Sequence, residues 1–143
     1  MDVKKQANKI ARMFKSRDPF EIVRGLKCDP GTLSIGRRAG FYQYFQRNNI
    51  IYLDEQLSDP EQHFVLAHEL GHMFFHIKNA NAIFMDTRTQ LNGARYEREA
   101  DLFAMELLLP DDLLSEYQEM GYSIDQISRV TGYDKRLIKL KLN

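Results

Sequence analysis

One five-residue stretch predicts both the fold and the chemistry of this chain. It is the HExxH motif formed by His68, Glu69, Leu70, Gly71 and His72. On an α-helix the two histidines lie about 40° apart around the axis and about 6 Å apart along it, so both imidazoles reach one metal ion. Two imidazoles and one further ligand leave a coordination position for water, and a neighbouring carboxylate can accept a proton from that water. The motif therefore predicts a catalytic zinc site of the peptidase type, with Glu69 as general base.

The residues around the motif predict the helix that it requires. Residues 58–61 read SDPE, which supplies a capping serine, a first-turn proline and an acid for the positive end of the helix dipole. Apolar residues then follow on and beside the histidine face. Gly71 is unusual, because glycine inside a helix costs about 1 kcal/mol relative to alanine. It predicts that another segment, either a strand or the third metal ligand, approaches closely there.

A third metal ligand is predicted in residues 96–104, which read YEREADLFA. Glu97 and Asp101 are four residues apart and share one face of a helix, so Glu97 can bind the metal while Asp101 orients a ligand histidine. Glu99 is the alternative ligand, but it points about 200° away from Glu97 and lacks an acid four residues later. A third histidine ten residues after His68 is excluded, since that position is Lys78, and so the metzincin pattern does not apply.

HELGH together with residues 97–110, EREADLFAMELLLP, resembles the ImmA/IrrE family of metallopeptidases. Residues 1–50 add only a compatible order of helix and strands. Carried over residue by residue, the resemblance implies zinc bound by His68, His72 and Glu97, with Glu69 as general base and Asp101 as the orienting acid. It also implies a role, because members related to ImmA cleave a helix-turn-helix repressor encoded beside them on phages and mobile elements, releasing gene expression after DNA damage.

Length and composition predict a single cytoplasmic domain spanning residues 1–143. The chain is 43% hydrophobic, enough for one core, and has neither a long apolar run nor a signal-peptide pattern. The lone Cys28 cannot form an internal disulfide, and its turn-like surroundings disfavour it as a fourth metal ligand. The formal net charge of zero gives no global electrostatic argument for nucleic acid as the main partner.

Upstream of the motif the pattern predicts two helices and a small sheet. Residues 3–14 combine helical apolar spacing with a solvated basic face, residues 20–26 form a short helix, and residues 32–35 and 40–51 resemble strands. A hairpin turn is predicted at residues 47–49. By resemblance to zinc peptidases, we expect a strand edge beside the motif helix to pair with an extended substrate. Tyr44, Tyr52 and Tyr96 are equivalent candidates for stabilising the oxyanion.

Three further features border the motif. Residues 78–95 predict a long polar loop beside the cleft. His63 and His76 are predicted to pack or form hydrogen bonds, because a helix rises about 12 Å between residues 68 and 76, too far for a shared metal. His76 is kept as a weak candidate for contacting the substrate.

Residues 122–142 resemble a helix-turn-helix pair. Ser123 caps the first helix, residues 131–134 turn, and Ser128, Gly132 and Ile138 occupy the small, glycine and apolar positions of that pattern. The second helix is basic, with Lys135, Arg136, Lys139 and Lys141. A single module of this kind in a neutral chain would bind DNA weakly. Partner docking or core packing is therefore the main expectation for the pair, and DNA contact the lesser one.

The sequence as a whole predicts an α+β, zincin-like, helix-rich domain with a small β-sheet next to the active-site helix. The predicted function is a zinc-dependent endopeptidase that cuts a partner protein, foremost a helix-turn-helix repressor. The alternative is a regulatory module that binds a repressor or DNA without cleavage and uses the metal for structure. Glu69 beside an open coordination position favours catalysis. The ligand types favour zinc but are shared with manganese and iron.

Overall fold

The computed structural model describes residues 2–26, 33–36, 40–45, 48–54, 56–76 and 90–143. Helices dominate these ranges, and the strands are few and short. In chain order the elements are α1 (Val3–Phe14), α2 (Pro19–Gly25), β1 (Leu33–Gly36), β2 (Gly40–Phe45), β3 (Asn48–Asp54), α3 (Asp59–Phe75), α4 (Gln90–Leu108), α5 (Asp111–Glu119), α6 (Ile124–Thr131) and α7 (Lys135–Leu142). The predicted N-terminal helices, strands and C-terminal pair are thus present. None of the helices in the described ranges has the length and apolarity needed to span a bilayer.

The three strands form one sheet in the order β1-β3-β2, with β3 parallel to β1 and antiparallel to β2. The predicted hairpin is confirmed, but its turn was placed too late. Asn48 and Asn49 pair with Phe45 and Tyr44 inside the ladder. Register follows the side of the sheet that is buried, and in this register the buried Ile51 and Leu53 lie opposite Tyr42 and Gly40 of β2. Both β2 and β3 contact α3, so the sheet lies beside the motif helix as expected.

Helix α1 packs its apolar side against α4 and leaves its basic side exposed, as its sequence predicts. Its buried residues are Val3, Ala7, Ile10 and Ala11. The segment after α1 is tied to the end of α4, because the Arg17 guanidinium donates to the backbone carbonyls of Glu106 and Leu107. Carbonyls in the last turn of a helix lack partners within that helix, so Arg17 stabilises the end of α4.

Helix α3 begins as its sequence predicts. The Ser58 hydroxyl accepts from the Glu61 backbone N–H while the Glu61 carboxylate accepts from the Ser58 backbone N–H, a complete capping box. Gly71, in the middle of α3, faces α4. A Cβ at this position would lie 3.1 Å from the ring of Phe103 and 3.3 Å from the Cα of Ala100. The close approach predicted for Gly71 is therefore made by the helix that carries Glu97, and not by a strand or by Glu97 itself.

The prediction of a long loop at residues 78–95 is wrong for residues 90–95. Helix α4 begins at Gln90, so residues 90–95 are helical. Asn92 and Gly93 weaken the local helix preference, but a helix already formed further along the chain gains one hydrogen bond for each residue it adds. Residues 78–89 lie outside the described ranges, as does Cys28.

The C-terminal pair has the predicted helix-turn-helix boundaries. Ser123 and Gln126 form a capping box on α6, Gly132 ends that helix with φ +82°, and the Asp134 carboxylate caps α7. The pair is fixed to the rest of the chain by an apolar cluster at the end of α4: Met105, Leu109, Leu114, Ile127, Leu137 and Ile138. Phe64 of α3 contacts this cluster and the main core, which joins the two.

Candidate metal centre

Helices α3 and α4 bring three predicted metal ligands together. The Nε2 atoms of His68 and His72 lie 3.2 Å apart. One oxygen of Glu97 lies 2.7 Å from Nε2 of His72, and the other lies 3.1 Å from Nε2 of His68. All three potential ligand atoms fall within 4.8 Å of one another, so this group can hold a metal ion. The Glu97 side chain is 50% exposed, which leaves the centre accessible from the side of α4.

The outward-facing nitrogen of each histidine has a partner. Nδ1 of His68 lies 2.8 Å from Oδ1 of Asp101, the contact that the spacing of Glu97 and Asp101 predicted for one histidine. Nδ1 of His72 lies 2.8 Å from Nδ1 of His76. A proton donated by Nδ1 to Asp101 fixes the tautomer of His68 and leaves its Nε2 lone pair directed at the metal position.

His76 is buried behind His72, with only 1% of its side chain exposed. Its ring packs against that of Tyr96, with the ring centroids 4.2 Å apart and the ring planes tilted by 32°. The expectation that His76 packs or forms a hydrogen bond is confirmed, whereas the idea that it contacts the substrate is wrong, since a buried ring behind His72 cannot do so. The sequence carried a signal for this role, because His68, His72 and His76 repeat at four-residue spacing along one helical face.

Glu99 points away from the ligand atoms, as its position on the helix predicts. Its carboxylate lies 3.6 Å from Nε2 of His76 and 3.7 Å from Nε of Arg95. Of the two acids considered for the third ligand, only Glu97 faces both histidines. Tyr96 contacts His76, and the side chains of Tyr44 and Tyr52 lie outside those described, so the choice of an oxyanion donor stays a prediction.

Glu69 follows His68 on α3 and is buried, at 8% exposed. Its negative charge is one of the influences that raise the pKa of His68. His63 lies elsewhere on α3, stacked edge-on against Phe20 and 3.6 Å from the Asp18 carboxylate. The prediction that His63 packs is thus confirmed, and it connects α2 to α3.

Electrostatics at the centre favour a bound cation. Burial opposes protonation of His68, but hydrogen bonds to Asp101 and Glu97 outweigh it and raise the pKa of His68 to about 10. Hydrogen bonds from His68 and His72 hold the pKa of Glu97 far below its usual value. Burial, aided by the charge of His72, lowers the pKa of His76 to about 4. An ionised carboxylate beside two imidazole nitrogens is a donor set that a zinc ion fits.

A cleft of about 800 Å³ opens from the Glu97 side of the centre. Its walls are α4 and α7, and its lining includes Glu97, Arg98, Asp101, Lys135, Arg136 and Lys139. The C-terminal pair therefore borders the metal centre, a placement that the helix-turn-helix pattern did not predict.

Comparison with known proteins shows which family shares this sequence. Residues 32–143 match the model of the IrrE N-terminal-like domain. The chain is 34% identical to the uncharacterized immunity region protein 2 of Bacillus phage phi105 over 140 residues, covering 97% of this chain and 88% of that protein. It is 29% identical to metallopeptidase ImmA of Bacillus subtilis, over 88% of this chain and 75% of the relative.

A third relative is the radiation response metalloprotease IrrE of Deinococcus deserti, 27% identical over 79% of this chain and 42% of that protein. The matched region contains α3, α4 and all the ligand residues, so the similarity extends over the part of the chain that can bind a metal. With its HExxH helix, its converging glutamate and this match, the chain belongs to the ImmA/IrrE family of metallopeptidases.

Proposed function

We propose that this protein is a zinc-dependent endopeptidase of zincin-like architecture, in which His68, His72 and Glu97 hold the zinc ion and Glu69 is the general base. One observation supports this most strongly. Two imidazole nitrogens and an ionised carboxylate, from helices separate in sequence, converge within 4.8 Å beside a buried glutamate. Each of these residues occupies the position that the family pattern gives it.

In this proposal, each residue of the centre has a separate role in peptide hydrolysis. A bound zinc ion would polarise the scissile carbonyl and lower the pKa of a water molecule. Glu69 would take a proton from that water as its oxygen attacks the carbonyl carbon, and would deliver the proton to the leaving amide nitrogen as the C–N bond breaks. Asp101 holds the His68 ring in the tautomer that the site needs, and His76 supports the ring of His72 in the same way.

The ligand count supports catalysis over a purely structural metal site. Structural zinc sites in proteins usually have four protein ligands, whereas catalytic sites have three and keep one position open. In the described part of the chain, the group that can hold a metal has three members, and Glu97 is half-exposed to the cleft. A regulatory module that binds without cleaving would need neither the open position nor a carboxylate at residue 69.

We propose a helix-turn-helix repressor of a phage or mobile element as the substrate, cut at a specific site in the cytoplasm to derepress gene expression. Support comes from the family resemblance and from the names of two relatives, one an immunity region protein of a phage and the other metallopeptidase ImmA. The repressor-like protein encoded nearest to this gene is the natural first substrate to test.

The test is to incubate that repressor with the purified, zinc-loaded protein and identify fragments by mass spectrometry. A parallel sample is stripped with a chelator and then resupplied with zinc. We expect one cut in the loaded sample, none after stripping and recovery after resupply. Absence of any cut at confirmed full zinc occupancy would reject this repressor as the substrate. Equal cutting of unrelated folded proteins would reject site-specific cleavage.

A further inference from the structure

The cleft beside the metal centre has a strongly basic wall, which we call the basic cleft: Arg98 of α4 together with Lys135, Arg136 and Lys139 of α7. Helix α7 is oriented by its apolar side, because Leu137 and Ile138 are buried against the end of α4. Residues 135, 136 and 139 remain on the side that faces the cleft. The basic wall therefore starts within a few ångströms of the centre, with Nη1 of Arg136 3.7 Å from Oδ2 of Asp101.

Four basic side chains line the cleft, against three acidic ones, Glu97, Asp101 and Asp134. Arg98 and Lys139 form no ion pair with any residue in the described ranges, and Lys135 pairs with the exposed Asp125 at 2.9 Å.

Each acid that lines the cleft has a partner. Glu97 contacts the two candidate ligand histidines, Asp101 contacts His68 and lies 3.7 Å from Arg136, and the Asp134 carboxylate accepts from the Arg136 backbone N–H. A ligand in the cleft would thus meet a surplus of positive charge beside the proposed zinc position.

The placement of α7 favours a peptide over DNA as the ligand of these cations. A recognition helix must present its surface to a DNA groove. Here Leu137 and Ile138 are buried, and the ammonium group of Lys141 is enclosed by Glu106 and Asp111 with 1% of the side chain exposed. The remaining cations line a concave space that also contains carboxylates. Such a cleft, beside the proposed peptidase centre, accommodates the extended chain whose bond is to be cut.

We propose that the basic cleft binds an acidic segment of the protein substrate, adjacent to the bond that is cut. This inference rests on the proposed peptidase function and names the chemistry of its substrate, a peptide with aspartate or glutamate residues near the scissile bond. In this account the helix-turn-helix-like pair is a wall of the substrate site.

A binding experiment tests the inference without requiring turnover. The zinc-loaded Glu69→Gln protein is titrated, by fluorescence anisotropy, against a labelled peptide that alternates glutamate with leucine and alanine. The second probe has glutamine at every glutamate. We expect the acidic peptide to bind about tenfold more tightly, the size expected of several solvent-exposed ion pairs acting together.

Two charge-reversal variants complete the design. R98E/K139E should abolish the preference for the acidic peptide, while K9E/R12E, which makes the same change in net charge at exposed α1 residues outside the cleft, should keep it. Circular dichroism and zinc content identify any misfolded variant, and the single substitution K139Q, which should reduce the preference, replaces the double variant if it misfolds.

Equal affinity for the two peptides would overturn the inference, as would a preference that survives in R98E/K139E. A DNA duplex that binds more tightly than the acidic peptide, and loses affinity in the same variant, would assign the basic cleft to nucleic acid instead. Failure of the peptidase function itself would appear separately, as absence of cleavage by the wild type.

Discussion

At the residue scale, the two proposed ligand histidines, His68 and His72, differ in what contacts their outer nitrogens. His68 relies on a carboxylate and His72 on the buried ring of His76. Partners of this kind fix the orientation of a ligand and raise its affinity for metal, typically by 10- to 100-fold. Helix geometry explains why sequence could locate His68, His72, Glu97 and Asp101. Four-residue spacing puts side chains on one face, whatever the rest of the fold does.

Sequence reasoning predicted that His76 packs or forms a hydrogen bond but did not identify His72 as its partner, because the distance considered was from His76 to the metal. The distance that matters is from His76 to His72, one turn away. Whether the next residue on a ligand face contacts solvent or supports its neighbour depends on burial, and burial here is provided by Tyr96 from α4. That packing is a tertiary contact, so the four-residue spacing signals the shared face of the two rings but not the burial of His76.

The assignment of the third ligand gives a first prediction. Glu97→Gln should weaken zinc binding by more than about 100-fold, because it removes the charged member of the donor set. Glu99→Gln, two residues away on the other side of α4, should weaken it by no more than about tenfold, because Glu99 lies nearer His76 than the ligands. Chelator-competition titration measures both affinities. The reverse order of effects would move the ligand to Glu99.

At the scale of elements, the close contact between α3 and α4 sets the geometry of the centre. Gly71 allows α4 to approach so closely that Glu97 reaches both histidines. The sequence indicated a close neighbour at this glycine but could not say which element it was. The first residue of α4 and the position of the hairpin turn were also misplaced. Both depend on how far a helix or ladder extends once it has nucleated, whereas residue preference decides only where it nucleates.

Gly71→Ala should destabilise the protein by up to about 2 kcal/mol. Alanine improves helix propensity by roughly 1 kcal/mol, but overpacking typically costs about 1–3 kcal/mol, and the Cα of Ala100 is backbone that cannot rotate away. Urea unfolding measures the change, and zinc affinity should fall as well, because α4 carries Glu97. An alanine variant that is more stable than the wild type would show that the helices are not in close contact at residue 71.

At the scale of the whole molecule, one ion-pair cluster connects the two ends of the described chain. Lys141 of α7 contacts Glu106 and Asp111, and Lys4 of α1 lies 2.9 Å from Asp111. The Lys141 and Glu106 side chains are 1% and 5% exposed. Sequence reasoning counted Lys141 among the four cations that make the second helix of the pair basic. The pairing joins residues 35 positions apart, so no local pattern reveals it.

Lys141→Ala should destabilise the protein by about 3 kcal/mol, because it leaves the buried Glu106 carboxylate without its cation. Replacing both partners by apolar residues of similar size, Glu106→Leu with Lys141→Met, should recover most of that loss. Thermal and urea unfolding of the single and double variants provide the comparison. A double variant as unstable as Lys141→Ala would mean that the loss comes from packing and not from an unpaired charge.

The same cluster predicts a pH dependence. Hydrogen bonds from Lys141 and Lys4 lower the pKa of Asp111 to about 2. A carboxyl group with a lowered pKa in the folded state stabilises that state above its unfolded pKa, and the contribution disappears as pH falls through the folded value.

Asp111→Asn should therefore lower the free energy of unfolding near neutral pH, by less than about 1 kcal/mol because Asp111 is 59% exposed and screened by solvent. The difference from the wild type should shrink below pH 3.8 and vanish near pH 2. Urea unfolding across this range measures it. A difference that stays constant down to pH 2 would exclude the carboxylate charge as its cause.

The central claim is that Glu69 is the general base of a peptidase site. Its most direct test compares the turnover of the wild type and Glu69→Gln at matched zinc occupancy, with the intact repressor as substrate. A general base contributes typically 10²- to 10⁴-fold to a rate, so we expect turnover per bound zinc to fall by that factor while fold and zinc affinity stay unchanged. Turnover within about threefold of wild type at equal zinc would contradict the role of Glu69, and with it the account of this centre as a peptidase site.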